Sequence, residues 1–139
     1  MNLNEREARD RLARARIARL ATSGADGRPH IVPFTFAAVD DRILHAVDHK
    51  PKRTTDLRRL RNIRENPSVS VLVDHYDDLD WELLWWVRAD GDARVIEDEA
   101  GRAEPVRLLR EKYSQYRERA PEGPVIEIRV TRWTGWAYR

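Results

Sequence analysis

No cysteine occurs in the 139 residues, which excludes a disulfide framework, a thiolate metal centre and a cysteine nucleophile, and suits a reducing compartment. Lysine is scarce too. Only Lys50, Lys52 and Lys112 accompany the arginines, and the 26 basic residues are balanced by 24 acidic ones. The net charge of +2 gives no electrostatic reason to expect a nucleic acid or an anionic membrane as partner. Residues 1–20 alternate charge with apolar side chains and no uninterrupted apolar run is present, so neither a signal peptide nor a membrane span is expected. These absences predict one domain over residues 1–139, in the cytoplasm.

The usual catalytic signatures are missing as well. His30, His45, His49 and His75 stand in no metal-binding spacing, so no metal site is expected, and there is no Gly-x-Ser-x-Gly elbow, P-loop or glycine-rich dinucleotide loop. Asp74, Asp77, Asp78 and Asp80 form an acidic stretch, which reads as a solvated turn because it lacks the glycine and terminal glutamate of a calcium loop. A groove without acid-base machinery fits an enzyme whose cofactor performs the reaction.

What is present is a succession of short β-like runs between two helical stretches. Asn4 and Glu7 have capping-box spacing, and Ala8, Leu12 and Ala15 follow at helical intervals, predicting a helix over 4–15. Strands are expected over 17–22, 28–39 and 42–47, joined by tight turns as a meander. A helix over 54–66 should end at Pro67, followed by a strand over 68–73. A second hairpin is expected to pair 83–89 with 92–97 across Asp90-Gly91, a helix to cover 98–119, and two strands, 124–130 and 132–138, to finish the chain. Short antiparallel strands with hairpin turns, interrupted by two helices, argue for a barrel rather than a doubly wound parallel sheet.

The stretch from Asp48 to Arg59 is the most informative. A strand runs into a helix N-terminus there, where unpaired N–H groups favour an anion, and Lys52, Arg53, Thr54 and Thr55 add charge and hydroxyl donors. Two readings stand: a phosphate seat, or solvated loop charges with Thr54 or Thr55 as an N-cap. Arg59 and Asn62, one turn apart, flank the apolar stripe of that helix and can reach a ligand along its edge. Pro29 and Pro33 in the 28–34 run each remove an N–H, which marks a strand edge guarded against aggregation or a bulge open to a planar ring. Five tryptophans exceed what so small a core needs. Trp85, Trp86 and Trp136 are candidates for an interface or a substrate pocket, with core packing as the plain alternative.

The segments Gly27-Arg28-Pro29-His30-Ile31-Val32-Pro33-Phe34, Leu60-Arg61-Asn62-Ile63-Arg64-Glu65-Asn66-Pro67-Ser68-Val69-Ser70-Val71-Leu72-Val73-Asp74 and Trp85-Trp86-Val87-Arg88-Ala89-Asp90-Gly91-Asp92-Ala93 together resemble the pyridoxamine 5'-phosphate oxidase-like superfamily. Within it they look most like the branch of oxidoreductases dependent on the deazaflavin coenzyme F420. The resemblance implies a mainly β, antiparallel Greek-key split barrel of the flavin-reductase, FMN-binding type. It implies a homodimer with the cofactor in a groove at the interface and a small-molecule substrate. Lys52, Arg53 and Thr55 would hold the phosphate with Thr54 beside them, Arg59 and Asn62 would lie alongside, and His30, Val32 and Pro33 would lie near the tricyclic ring. The implied reaction is hydride transfer from reduced deazaflavin to a conjugated or quinone-like acceptor, with the proton coming from solvent, His30 or His49. FMN is the alternative cofactor, and a non-enzymatic flavin or haem carrier the alternative role.

Overall fold

The structure, a computed structural model, describes residues 1–48 and 57–139. The chain opens with α1 (Glu5–Arg14), whose capping box is complete: Asn4 Oδ1 accepts from the Glu7 N–H and Glu7 Oε1 from the Asn4 N–H. Glu5 and Glu7 in its first turn and Arg11 and Arg14 in its last complement the helix dipole, while Ala8 and Leu12 are buried against the sheet. Strands β1 (Ala18–Ser23) and β2 (Pro29–Phe34) form a hairpin. Gly27, at φ +75°, completes its turn in a conformation that favours glycine.

The expected strand over 28–39 is in fact two strands, and the expected meander does not form. β3 (Ala37–Val39) pairs only with β4 (Arg42–Ala46), and the sheet order β2-β1-β5-β6-β7-β4-β3 sets β2 and β3 at opposite edges. The break falls at Thr35 and Phe36 because side chains satisfy their backbone there. His45 Nδ1 donates to the Thr35 carbonyl at 2.7 Å, Tyr113 Oη accepts from the Phe36 N–H, and the Thr35 and Tyr116 hydroxyls bond each other. With its backbone groups paired this way, the segment crosses from one edge to the other and buries Phe36 completely. The Phe34 and His45 rings then meet edge to face, 5.2 Å between centroids, so the curled sheet draws its two sides together.

After residue 57 come α2 (Arg58–Glu65) and β5 (Ser68–His75), then a short 3-10 turn (Trp81–Leu83) and β6 (Trp85–Ile96). Leu57 is the N-cap of α2 and makes no side-chain cap, so the helix begins later than position 54. The hairpin expected at Asp90-Gly91 is absent: β6 runs straight through that pair. The Asp90 carboxylate accepts from Ser70 at 2.6 Å instead of closing a turn. The same holds at the end, where one strand, β7 (Val125–Ala137), replaces the expected two. Asp90 faces Arg132 and Gly91 faces Val130, which leaves Thr131 as the extra residue of a β-bulge, and its hydroxyl donates to the Asp90 carbonyl. The position that looked like a strand break is thus a bend within one strand.

The expected helix over 98–119 is likewise split, into α3 (Glu99–Lys112) and α4 (Ser114–Glu118). Tyr113 between them is extended, and its hydroxyl spans the Arg16 and Phe36 carbonyls. Beside it Lys112 Nζ donates to the Ala15 carbonyl at 2.7 Å and lies 3.8 Å from the Phe36 ring centroid. Burial is the main reason its pKa is pushed down to about 8. All strand pairings are antiparallel. The main core lies inside the curl, with Leu20, Ile43, Leu60, Val71, Val87, Ile126 and Ile128 among its buried residues, and Leu109 anchors α3 over a smaller cluster with Ala37, Ile96 and Val125. This mainly β sheet with flanking helices is the split-barrel fold. No helix among the described residues is long and apolar enough to cross a membrane.

Candidate functional site

β2 is an edge strand, which explains its two prolines. Pro29 and Pro33 face Ser23 and Arg19 of β1 and are tolerated where their missing N–H would have pointed away from the ladder. Side chains alternate along it: His30 and Val32 turn inward and are half-buried, whereas Ile31 and Pro33 are exposed. Val32 and Pro33 therefore share the strand's free edge but not a face. His30 Nδ1 is buried without a hydrogen-bond partner.

Opposite this inner side stands α2. Asn62 is buried, and its amide donates to the Thr22 hydroxyl at 3.0 Å. Glu65 accepts from the Ala25 N–H, and Asn66 donates to the Ser23 hydroxyl. Gly24 makes this close docking possible, because a Cβ there would lie 2.8 Å from Asn62 Oδ1. Asn62 is thus the fastener that locks α2 to the β1–β2 hairpin. Replacing it with Ala is expected to cost about 1–3 kcal/mol of stability by leaving Thr22 unpaired. A loss of ligand affinity with no fall in melting temperature would reverse that role.

One turn before Asn62 the same docking fixes Arg59. Its guanidinium is half-buried, its Nε has no hydrogen-bond partner among the described residues, and burial holds its pKa below the ordinary arginine value. Arg59 is near enough to disfavour protonation of His45, which sequence reasoning did not select. His45 is buried in β4, and burial is the main cause that lowers its pKa from 6.5 to about 4, with Arg59 adding to it and the Thr35 carbonyl and Asp48 opposing. The ring is neutral at physiological pH. Because a carbonyl can only accept, Nδ1 carries the proton and Nε2 is a bare acceptor, buried and without a partner. The available signal was a histidine inside Ile43–Ala46, a run otherwise apolar.

Lys52, Arg53, Thr54 and Thr55, with His49, lie outside the described residues. The structure brings Asn62 and His30 together around Thr22, whereas Arg59, one turn earlier on α2, lies near His45. The tryptophans go elsewhere, and to two sides. Trp85 stacks near His75, takes Arg11 over its ring and packs at the fringe of the core. Trp86 and Trp136 pair in register on the opposite face of β6 and β7. There they line a cleft of about 660 Å³ together with Ile31, Leu72, Arg19 and Arg88, and Trp85 and His75 also reach its lining. Arg88 is held by Asp90. Ile31 is largely exposed, and sequence reasoning missed it because the pattern of β2 alone does not say which face is covered.

The family model described as pyridoxamine 5'-phosphate oxidase matches residues 5–137. No curated protein is significantly similar in sequence. Among solved structures, a conserved hypothetical protein of Mycobacterium tuberculosis is 23% identical, with 99% of this chain and 86% of that one covered and a TM-score of 0.80. An FAD-binding protein of Mesorhizobium loti is 22% identical over 97% of this chain and 95% of that one, at a TM-score of 0.70. An FAD binding protein of Mycobacterium smegmatis is 23% identical over the full length of both chains, at 0.68. These three likenesses are likenesses of fold.

Proposed function

Since the chain belongs to the pyridoxamine 5'-phosphate oxidase family of split-barrel proteins, we propose that it is a coenzyme F420-dependent oxidoreductase, working in the cytoplasm as a homodimer. Its substrate would be an unsaturated or quinone-like organic molecule. The observation that carries this reading is Arg59: a guanidinium held partly out of water, with a donor unused among the described residues, on the helix that docks on the β1–β2 hairpin. Such a group fits an anionic cofactor, because a phosphate supplies the acceptors that the protein leaves out. Lys52, Arg53, Thr54 and Thr55 precede it in sequence and would complete the seat.

When bound, the deazaflavin would supply a hydride to the acceptor. The chain's own task is to bind, orient and exclude water. Arg59 would fix the charged end, the free edge of β2 at Val32 and Pro33 would border the ring, and His30 would stand close by with an open Nδ1. His45, buried and neutral with its ring edge to face with Phe34, adds no charge to the interior beside Arg59. A second copy would cover the apolar outer face that carries Ile31, Trp86 and Trp136.

FMN or FAD is the second reading, favoured by the names of two structural relatives. Titrating the protein with F420, FMN, FAD and haem, while following tryptophan fluorescence, separates them. Quenching at micromolar concentration by F420 alone supports the reading, and quenching by a flavin or haem alone replaces it. Turnover of reduced cofactor with a panel of enones and quinones then distinguishes an enzyme from a carrier. Replacing Lys52 and Arg53 together with Ala is expected to weaken cofactor binding more than tenfold with the melting temperature unchanged, consistent with charge-assisted contacts of about 1.5–3 kcal/mol each. Unaltered affinity would move the phosphate away from this corner.

A further inference from the structure

The connection from β5 to β6 departs from the rim of the outer cleft, where Tyr76 and Leu84 form part of the lining. Between them lies a short arm that is rigid yet unburied. The Asp77 carboxylate accepts from the Leu79 and Asp80 N–H groups, Asp80 accepts from the Glu82 N–H, and Glu82 pairs with Arg139 at 3.2 Å. At its tip Leu79 is 97% exposed and Trp81 61% exposed. A constrained arm that holds a leucine and a tryptophan in water is prepared for contact, because it has little entropy left to lose on docking.

The same face of the molecule carries the arm's complement. The cleft is concave and mainly apolar; its charged lining residues are Arg19, Arg88 and Asp74, and Arg88 is already paired with Asp90. The arm is convex and apolar at its tip, with Asp77, Asp78, Asp80 and Glu82 and no basic residue between them. A surface that bears both an apolar hollow and an apolar projection suits a two-fold contact in which each copy gives and receives the same element. We propose that the arm carrying Leu79 and Trp81 enters the outer cleft of a second copy of this chain, so that each cleft is completed by side chains of the other subunit. This rests on the homodimer proposed above and adds to it the element that crosses.

The absence of cysteine makes the test direct. One copy carries Leu79→Cys, a tagged second copy carries Ile31→Cys on the cleft wall, and the two are co-expressed and treated with a short bismaleimide. Covalent pairing of tagged with untagged chain is expected, whereas Arg107→Cys, on the outward side of α3, should not pair with Leu79→Cys. Leu79→Asp combined with Trp81→Ala should raise the dimer dissociation constant at least tenfold in sedimentation equilibrium while leaving the far-ultraviolet circular dichroism unchanged. A dimer that forms normally, without the Leu79 to Ile31 cross-link and with an unchanged constant in the double variant, overturns the arm but leaves the dimer standing. A monomer at every concentration overturns both.

Discussion

Gly91→Val is expected to lower the melting temperature by about 10 °C or more, corresponding to about 3–5 kcal/mol out of the 5–15 kcal/mol that usually separates a folded domain from its unfolded chain. The reason is backbone meeting backbone. A Cβ at position 91 would collide with the Arg129 carbonyl oxygen, stand 2.9 Å from its carbonyl carbon and lie 3.0 Å from Val130 Cα. No side chain can swing aside, and the sheet itself would have to part where β6 and β7 pass the Thr131 bulge. Gly135→Ala is the control. Its nearest obstacle is a leucine methyl at 3.0 Å, the end of a side chain that can turn, and the nearest backbone atom, the Trp86 carbonyl oxygen, is at 3.2 Å, so a much smaller change, about 1 kcal/mol, is expected. Equal melting temperatures for the two variants would show that the bulge gives way freely and that Gly91 has no special place.

The second large effect depends on acidity. His45 titrates near 6.5 when unfolded and near 4 when folded, so between those values the unfolded chain binds a proton that the folded chain refuses. The stabilisation is complete above about pH 6.5 and drains away as the pH falls toward 4, by about 3 kcal/mol in all. His45→Asn keeps a donor for the Thr35 carbonyl but cannot titrate. It should therefore be less stable than the parent at pH 8, having lost the contact with Phe34, yet show a flatter profile between 6.5 and 4 in urea melts. Asp41 and Glu127 act in a different window. The Trp133 and Arg9 hydrogen bonds hold Asp41 below the usual carboxylate range, and for Glu127 the bonds from Arg94 and Arg42 outweigh an opposing effect of burial, so their losses set in around the ordinary values of 3.8 and 4.5, at the acid end of the range in which His45 is read. Parallel slopes for parent and variant would mean that the ring is not the group being titrated.

Periodicity made some elements legible and hid others. The capping box at Asn4 and the apolar stripe of α2 were plain because each is decided by residues within one or two turns. The errors share a cause. Asp90-Gly91 has turn chemistry, and only the approach of Arg129, some forty positions away, reveals that its glycine serves a close passage between strands. Thr35 and Phe36 continue a strand-like run, yet His45, Tyr113 and Tyr116 capture their polar groups from other elements. At the candidate site, Arg59 could be picked out because it flanks an apolar stripe. The embedding of Asn62 against Thr22 depends on how a helix docks on a hairpin, and no local pattern records that.

The sheet order has a consequence for how the chain is made. Three hairpins, β1 with β2, β3 with β4, and β5 with β6, draw their strands from neighbouring stretches of sequence and can assemble as they leave the ribosome. The strand that joins β6 to β4 is β7, which follows the other strands of this sheet in sequence and takes an interior place. Until it emerges, the nascent protein carries two open strand edges and an unsealed apolar interior. The interval before β7 emerges is therefore when this chain is most vulnerable to aggregation and has most need of a chaperone.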